Sequence, residues 1–362
     1  MPPRLSIVIC SRDGAAGVDR CLRALAVQTI RPALEVIVVD DGSADGTASV
    51  ARGHGAIVLR HDTSRGPAAA RNTGAQVASA PILAFLDDDC EPEPGWAEQL
   101  AGAYHGDVIG VAGALLAGGR PGFMLGYLAR HNPLEPQELS LARSSRLWYR
   151  LYLYLARQWA PPRPRGPRDI YSCAAANMSV RHDAFDEVGG FDERIRFASE
   201  DDDLCRRLRQ AFPAGRLVFA PGARAVHHFS PSPWDTLRRR LAYGQGAARM
   251  HRKWPDVPPI VFPWPLAMLA MLALSVFFPV LLAVTALVPQ LLYPAGLRAA
   301  VRERRPACLL DSYLQLAEEC CADLGFIEGW WQFRRLVPDA AASQAPAGQR
   351  RLAQPAARQN TR

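Results

Sequence analysis

LEVIVVDDGSADGT, residues 34–47, decides how this chain folds. An unbroken β-branched apolar run of this length is a strand covered on both faces, and it stops at two carboxylates, a glycine and a hydroxyl. Three more runs of the same kind flank it: LSIVIC at 5–10, AIVLR at 56–60 and ILAFLDDD at 82–89. The stretches between them, 18–28, 46–53 and 66–78, have helical spacing. Strand, helix, strand at this spacing predicts an α/β fold with a mostly parallel sheet flanked by helices. Such sheets bind ligands at the carboxyl ends of their strands. Asp40 and Asp41 end one strand, and Asp87, Asp88 and Asp89 end another, so both sets are expected in one crevice.

The residue types at these ends suggest chemistry, each with a plainer alternative. Asp40, Asp41 and Ser43 can accept hydrogen bonds from a nucleobase and a ribose; Asp41 or Ser43 can equally cap the next helix. Arg71, in RGPAAARNTGA at 65–75, suits bidentate contact with phosphate, or a surface ion pair. Asp87, Asp88 and Asp89 offer hard oxygen ligands to Mg2+ or Mn2+, which would neutralise a diphosphate; a solvated acidic turn is the alternative. Farther along, Glu200, Asp201, Asp202 and Asp203 are adjacent, just after the Gly189-Gly190-Phe191 turn. Carboxylates at a helix start stabilise it by about 0.3–1 kcal/mol each, so a helix N-terminus competes here with an active-site role.

Five motifs in order, VIVVDDGSADGT, RGPAAARNTGA, AFLDDDCEPEPGW, AAANMSVRHDAFDEVGGFDERI and SEDDDLCRRL, resemble the inverting glycosyltransferases of family 2 over about residues 4–230. The resemblance implies a glycosyltransferase A-type fold and a nucleotide-diphosphate sugar donor. It implies that Asp41, with Asp40 beside it, contacts the nucleobase, that Asp88 lies near the ribose and that Asp89 holds Mg2+ or Mn2+. It further implies that Asp201 is the catalytic base, with Glu200 positioning acceptor or base, and that a histidine of VHHFS binds the metal, register favouring His228 over His227. Two departures stand out: CSRDG at 10–14, where many relatives carry a Pro-Thr-Tyr-Asn-like run, and Ser199 in place of a common glycine.

The remaining sequence predicts how the enzyme is placed. Eight cysteines without CxxC spacing, and no signal pattern at the start, predict reduced thiols in the cytosol. The net charge of +7 is almost wholly arginine, since Lys253 is the only lysine. Six basic residues (Arg238, Arg239, Arg240, Arg249, Arg252 and Lys253) precede a stretch, 257–297, whose only ionisable group is Tyr293. A basic collar beside an apolar run suits anionic membrane lipids better than nucleic acid, for which no signature is present. With Pro279 near the middle and arginines on both flanks, residues 260–293 are expected to form a membrane hairpin, or a single span, on the cytoplasmic side of the membrane; a buried soluble helix pair is the alternative. The aromatic stripe at 143–159 is expected to be helical and packed in the core; a substrate platform or a membrane interface is the alternative.

The expected organisation is therefore a donor-binding half at 1–115, an acceptor-binding half at 116–230, a basic amphipathic helix at 231–256 and the membrane segment at 257–297. An amphipathic helical segment at 298–337 and a disordered tail at 338–362 follow. The acceptor is expected to be lipid-linked or an envelope glycan. A soluble acceptor, or a non-catalytic nucleotide-sugar-binding scaffold, is the competing reading; Asp89 and Asp201 together argue against the scaffold.

Overall fold

Four parallel strands form the first half of the sheet, in the order β3 (Ile57–Arg60), β2 (Leu34–Asp40), β1 (Leu5–Ser11), β4 (Ile82–Asp87). Their alternate residues pack on opposite sides. Leu5, Ile7, Ile9, Val36 and Val38 join Val18, Leu22, Leu25, Trp96 and Leu100 on one face. Val8, Ile37, Val39, Leu83 and Phe85 join Ala68, Ala70, Phe185, Phe191 and Leu204 on the other. Burying each large apolar side chain contributes about 1.5–3 kcal/mol, which is why these strands read as continuous apolar runs. The computed structural model describes residues 2–159, 166–196, 198–258 and 262–336. Most of the proline- and arginine-rich stretch at 161–168, which reads as a loop because it cannot be helical throughout, the start of the apolar run at 260 and the expected tail lie outside them.

The second half continues the same sheet. β9 (Asn177–Arg181) lies antiparallel between β4 and β6 (Val108–Gly118), and β10 (Arg216–His228) runs parallel to β6. The short strands β5 (Cys90–Pro92), β7 (Gln137–Glu138) and β8 (Arg168–Ser172) complete it, β5 and β8 pairing antiparallel with β10 and β7 with β8. The boundary expected at 115/116 falls inside β6, so the two halves share one sheet rather than meeting as separate bodies. Asn177 fastens the junction: its side chain accepts from Trp96 Nε1 at 2.8 Å and donates to the Ala114 and Ala223 carbonyls at 3.1 and 3.2 Å.

Beyond the sheet the chain is helical. The collar forms one helix, Pro233–Lys253, packed along Leu310–Gln332. Their backbones touch where glycines lie: a Cβ on Gly244 would sit 2.0 Å from the Ala322 carbonyl oxygen, and one on Gly325 1.9 Å from that of Leu241. The collar is only partly a surface feature, contrary to the sequence reading. Lys253 is buried and pairs with Asp192 and Asp203 at 2.6 and 2.7 Å, and Arg240 pairs with buried Glu318 at 2.6 Å. The apolar run folds as two short helices, Pro263–Leu274 and Val280–Leu292, lying against each other around a turn that ends at Pro279. Among the described residues no single helix is long and apolar enough to cross a membrane; Val280–Leu292 and Pro294–Glu303 together would be, but they are bent by 73°.

The aromatic stripe is helical over Leu147–Trp159, yet none of its residues is buried. Core packing was the wrong expectation. The helix turns its polar side inward, with Tyr154 Oη donating to Glu319 at 2.9 Å, and leaves Trp148, Tyr152 and Trp159 exposed.

Candidate active site

The turn after β4 carries Asp87, Asp88 and Asp89 at the carboxyl end of the parallel strands, as the sheet order requires. Asp88 accepts a hydrogen bond from Ser11 Oγ at the end of β1, and the start of the next helix crowds against it: a Cβ on Gly14 would lie 2.2 Å from Asp88 Oδ2. Glycine there permits the approach. The departure CSRDG thus supplies Ser11 and Gly14, which fix the acidic turn, a role not visible from the run alone. Burial pushes the Asp88 carboxyl up to about 6, Asp87 adding to the effect.

Asp40 and Asp41 hold the neighbouring loops. Asp40 is fully buried and accepts from the Ser43 amide at 2.7 Å, while Ser43 Oγ accepts from the Asp13 amide at 2.9 Å. Asp41 accepts from His61 Nδ1 at 2.6 Å, Ser64 Oγ at 2.7 Å, Arg65 N at 2.8 Å and Gly66 N at 2.9 Å. Burial opposes its ionisation, but these four donors outweigh it and hold the carboxyl below its ordinary range. Asp41 therefore caps no residue of the adjoining Thr47–Gly53 helix; it fastens the loop entering the Pro67–Val77 helix. Ser43 caps neither.

Arg71 lies at the centre. Its guanidinium is buried and donates to Asp87 Oδ1 through one nitrogen and to Glu200 Oε1 through another, each at 2.8 Å. Of the two readings offered for Arg71, an ion pair is what the protein side chains make, buried rather than at the surface, and it bridges the two acidic clusters. A second link runs through the backbone: the Asp87 amide donates to the Ala176 carbonyl at 3.3 Å, and the Ala175 amide donates to Asp201 Oδ2 at 3.1 Å. Burial pushes the Asp201 carboxyl well up, and the negative charges of Glu200 and Asp202 push it further, making it a stronger proton acceptor.

The rest of the quartet divides by environment. Asp202 accepts from Ser172 Oγ at 2.6 Å, and Asp203 is buried against Lys253, Arg207 and Trp254. Just before them, Ala198 and Ser199 have φ of 59° and 70°, the left-handed region that favours glycine. That conformation explains why glycine suits position 199, and Gly246 of the collar helix makes room for it: a Cβ there would lie 2.7 Å from Ser199 Oγ.

For the histidine pair the structure departs from the register argument. Adjacent residues of β10 point to opposite faces, and His227, not His228, faces Asp89, with Nε2 at 3.3 Å from Oδ1. His228 instead meets Glu91 at 2.5 Å, and its amide donates to the Asp89 carbonyl at 2.9 Å. Asp89 Oδ1 and His227 Nδ1 are buried without hydrogen-bond partners. Ligand atoms of Asp89, Cys90 and His227 lie within 4.8 Å of one another. Burial, with Asp87 and Asp88, pushes Asp89 up to about 7, and burial pushes His227 down to about 4. An oxygen and an imidazole facing each other at this separation fit a divalent cation.

Two residues from the collar helix act electrostatically on the crevice and were read only as charge or not at all. Arg239 acts electrostatically on Asp89 and His227, and lies 5.5 Å from the centre of the Phe229 ring. Tyr243, one turn on, feels both Asp87 and Asp201.

The order of these motifs and the shared sheet have counterparts in known proteins. A family profile described as "Glycosyl transferase family 2" matches residues 6–182, and one described as "Glycosyl transferase family group 2" matches residues 165–301. The chain belongs to glycosyltransferase family 2. Within the family it is 33% identical over 259 residues to the pre-mycofactocin glycosyltransferase of Mycobacterium tuberculosis, covering 70% of this chain and 48% of that protein. The chain thus spans about half the length of that relative. It is 26% identical over 238 residues to the glucosyl-dolichyl phosphate glucuronosyltransferase of Haloferax volcanii, covering 62% of this chain and 69% of that protein. Among solved structures, a mannosyltransferase from Pyrobaculum calidifontis in complex with GDP-Man and Mn2+ shares the fold, with a TM-score of 0.53 and 20% identity over 92% of this chain and 88% of that one.

Proposed function

We propose that this family member transfers a sugar, with inversion, from a nucleotide-diphosphate donor to a hydroxyl of a lipid-linked or envelope glycan acceptor on the cytoplasmic side of a membrane. The observation that carries the reading is the Arg71 bridge. It holds the donor-side Asp87 and the acceptor-side Glu200 on one guanidinium, so a sugar bound over the aspartate turn would lie beside Asp201.

Inversion requires one base opposite the leaving group. Asp201 takes the proton of the acceptor hydroxyl as its oxygen attacks the anomeric carbon, and the bond to the diphosphate breaks on the far side. A retaining hydrolase would instead need two carboxylates about 5 Å apart and no diphosphate clamp. Asp89 and His227 would hold Mg2+ or Mn2+, which when bound neutralises charge on the departing diphosphate. Arg239, for which no carboxylate partner is found among the described residues, adds a positive charge on the same side. Glu200, fixed by Arg71, keeps the start of the acidic helix in place. The polyprenyl or glycan nature of the acceptor is supported by the apolar hairpin and by the dolichyl phosphate named for the Haloferax relative.

The test is a thermal-shift screen of nucleotide sugars with and without Mn2+, followed by a transfer assay. One donor should stabilise the protein only with the cation, and EDTA or Asp89→Ala should reduce transfer at least about 100-fold. Undiminished transfer in EDTA would remove the metal from the account.

A further inference from the structure

We infer that the Pro263–Leu274 and Val280–Leu292 hairpin is a one-leaflet wedge, and that the inside-out aromatic helix Leu147–Trp159 rests at the headgroup level beside it. This rests on the membrane reading above and gives it a depth and a set of contact residues.

Length sets the first limit. The two helices have 12 and 13 residues, about 18–20 Å each at 1.5 Å per residue. A hydrocarbon core is about 30 Å thick, so each helix matches one leaflet with its interface and falls short of a crossing. The base is held by protein: the Phe262 amide donates to Asp323 at 2.8 Å, Tyr313 Oη to the Ala286 carbonyl at 2.7 Å, and Gln290 Nε2 to the Leu309 carbonyl at 2.7 Å. The turn at the other end is bare. Val276 and Phe277 are 78% and 76% exposed, and Phe278 and Val280 are exposed as well. Water is a poor solvent for four such neighbours, and an apolar patch on this scale marks a docking surface.

Chemistry along the hairpin then matches the depth profile of a leaflet. At the base, the Tyr154 ring lies 5.7 Å from that of Phe262, and the Gln158 carbonyl accepts from Arg298 at 3.2 Å, so the aromatic helix adjoins the hairpin there. That helix shows Trp148, Tyr152 and Trp159 to the outside, side chains with an apolar body and a polar edge that favour the membrane interface. Exposed Arg143 and Arg146 precede it, and exposed Arg298, Arg302, Arg304 and Arg305 follow the hairpin. Arginines at the base and aliphatic and phenyl groups at the tip complement anionic headgroups above hydrocarbon. A second protein copy would not ask for this ordering of charge, aromatic edge and bare apolar tip.

The experiment uses the full chain with vesicles of phosphatidylcholine, with and without phosphatidylglycerol. A photoactivatable phospholipid is placed in the outer leaflet only or the inner leaflet only, and labelled peptides are mapped by mass spectrometry. The protein should float with vesicles, more strongly with phosphatidylglycerol, and residues 276–278 should label from the outer leaflet alone. Phe277→Asp with Phe278→Asp should lower vesicle partitioning at least about tenfold while donor-induced thermal stabilisation is unchanged. Labelling of the tip from the inner leaflet would overturn the wedge and leave membrane association standing. Flotation of the double variant equal to the parent would also overturn it. A parent that never floats, or that dimerises through this face in place of binding vesicles, would defeat the membrane reading itself.

Discussion

Arg239 was legible only as one charge among six, because a sequence shows a basic cluster without showing which member faces which way. Arg240 turns to Glu318 and Lys253 to two aspartates, whereas Arg239 lies over the Phe229 ring and acts electrostatically on Asp89 and His227. A cation beside the proposed diphosphate position would stabilise charge that grows as the donor bond breaks, so its removal should weigh on turnover more than on binding. Arg239→Gln is expected to lower kcat about 10–100-fold with a smaller change in KM for the donor. Equal kcat in the variant would place Arg239 outside the reaction. The histidine assignment shows the same limit: VHHFS points to a histidine beside the proposed metal position, but the choice of His227 depends on strand pairing with β5, which the sequence does not state.

Among elements, the parallel strands were the most readable. The expected run at 34–40 is β2 residue for residue, 5–10 falls within β1, and 82–89 overshoots β4 by the two aspartates of the turn, since strands covered on both faces leave an unbroken apolar record. The collar helix was readable as a helix but not in its packing. Its glycines and its single lysine carry the tertiary contacts, and no periodicity marks either. Lys253 holds Asp192 and Asp203 from the interior, clasping the acidic helix Glu200–Ala211 from its far side. Although burial raises both carboxyls, Arg194 and Lys253 at Asp192, and Arg207 and Lys253 at Asp203, prevail and hold each below its ordinary range. Their folded values being depressed, the stability they contribute is present above the ordinary carboxylate range and is lost as pH falls through it toward the folded values. Lys253→Met should cost about 3 kcal/mol at neutral pH, because it strands two buried carboxylates, and the cost should shrink under acid. Denaturant melts of parent and variant at neutral and acid pH check this, and parallel curves would refute the clasp. The aromatic helix misled for the opposite reason: a stripe of Trp, Tyr and Leu looks the same whether it faces a core or the outside of the protein.

At the scale of the whole molecule, one sheet spans both halves, and the candidate site sits where they meet. The order of motifs announced that meeting; its hardware, Arg71 between Asp87 and Glu200 and the Ala175–Ala176 backbone between Asp87 and Asp201, appears only in three dimensions. If the halves divide the work as this arrangement indicates, donor capture and proton removal are separable. The decisive measurement compares Asp201→Asn with the parent for donor binding by thermal shift with Mn2+ and for sugar transfer resolved by the anomeric configuration of the product. Unchanged donor stabilisation, with inverted product from the parent and transfer reduced about 100–10,000-fold in the variant, is the predicted result. Full transfer by a folded Asp201→Asn protein, or retention of configuration by the parent, would contradict it.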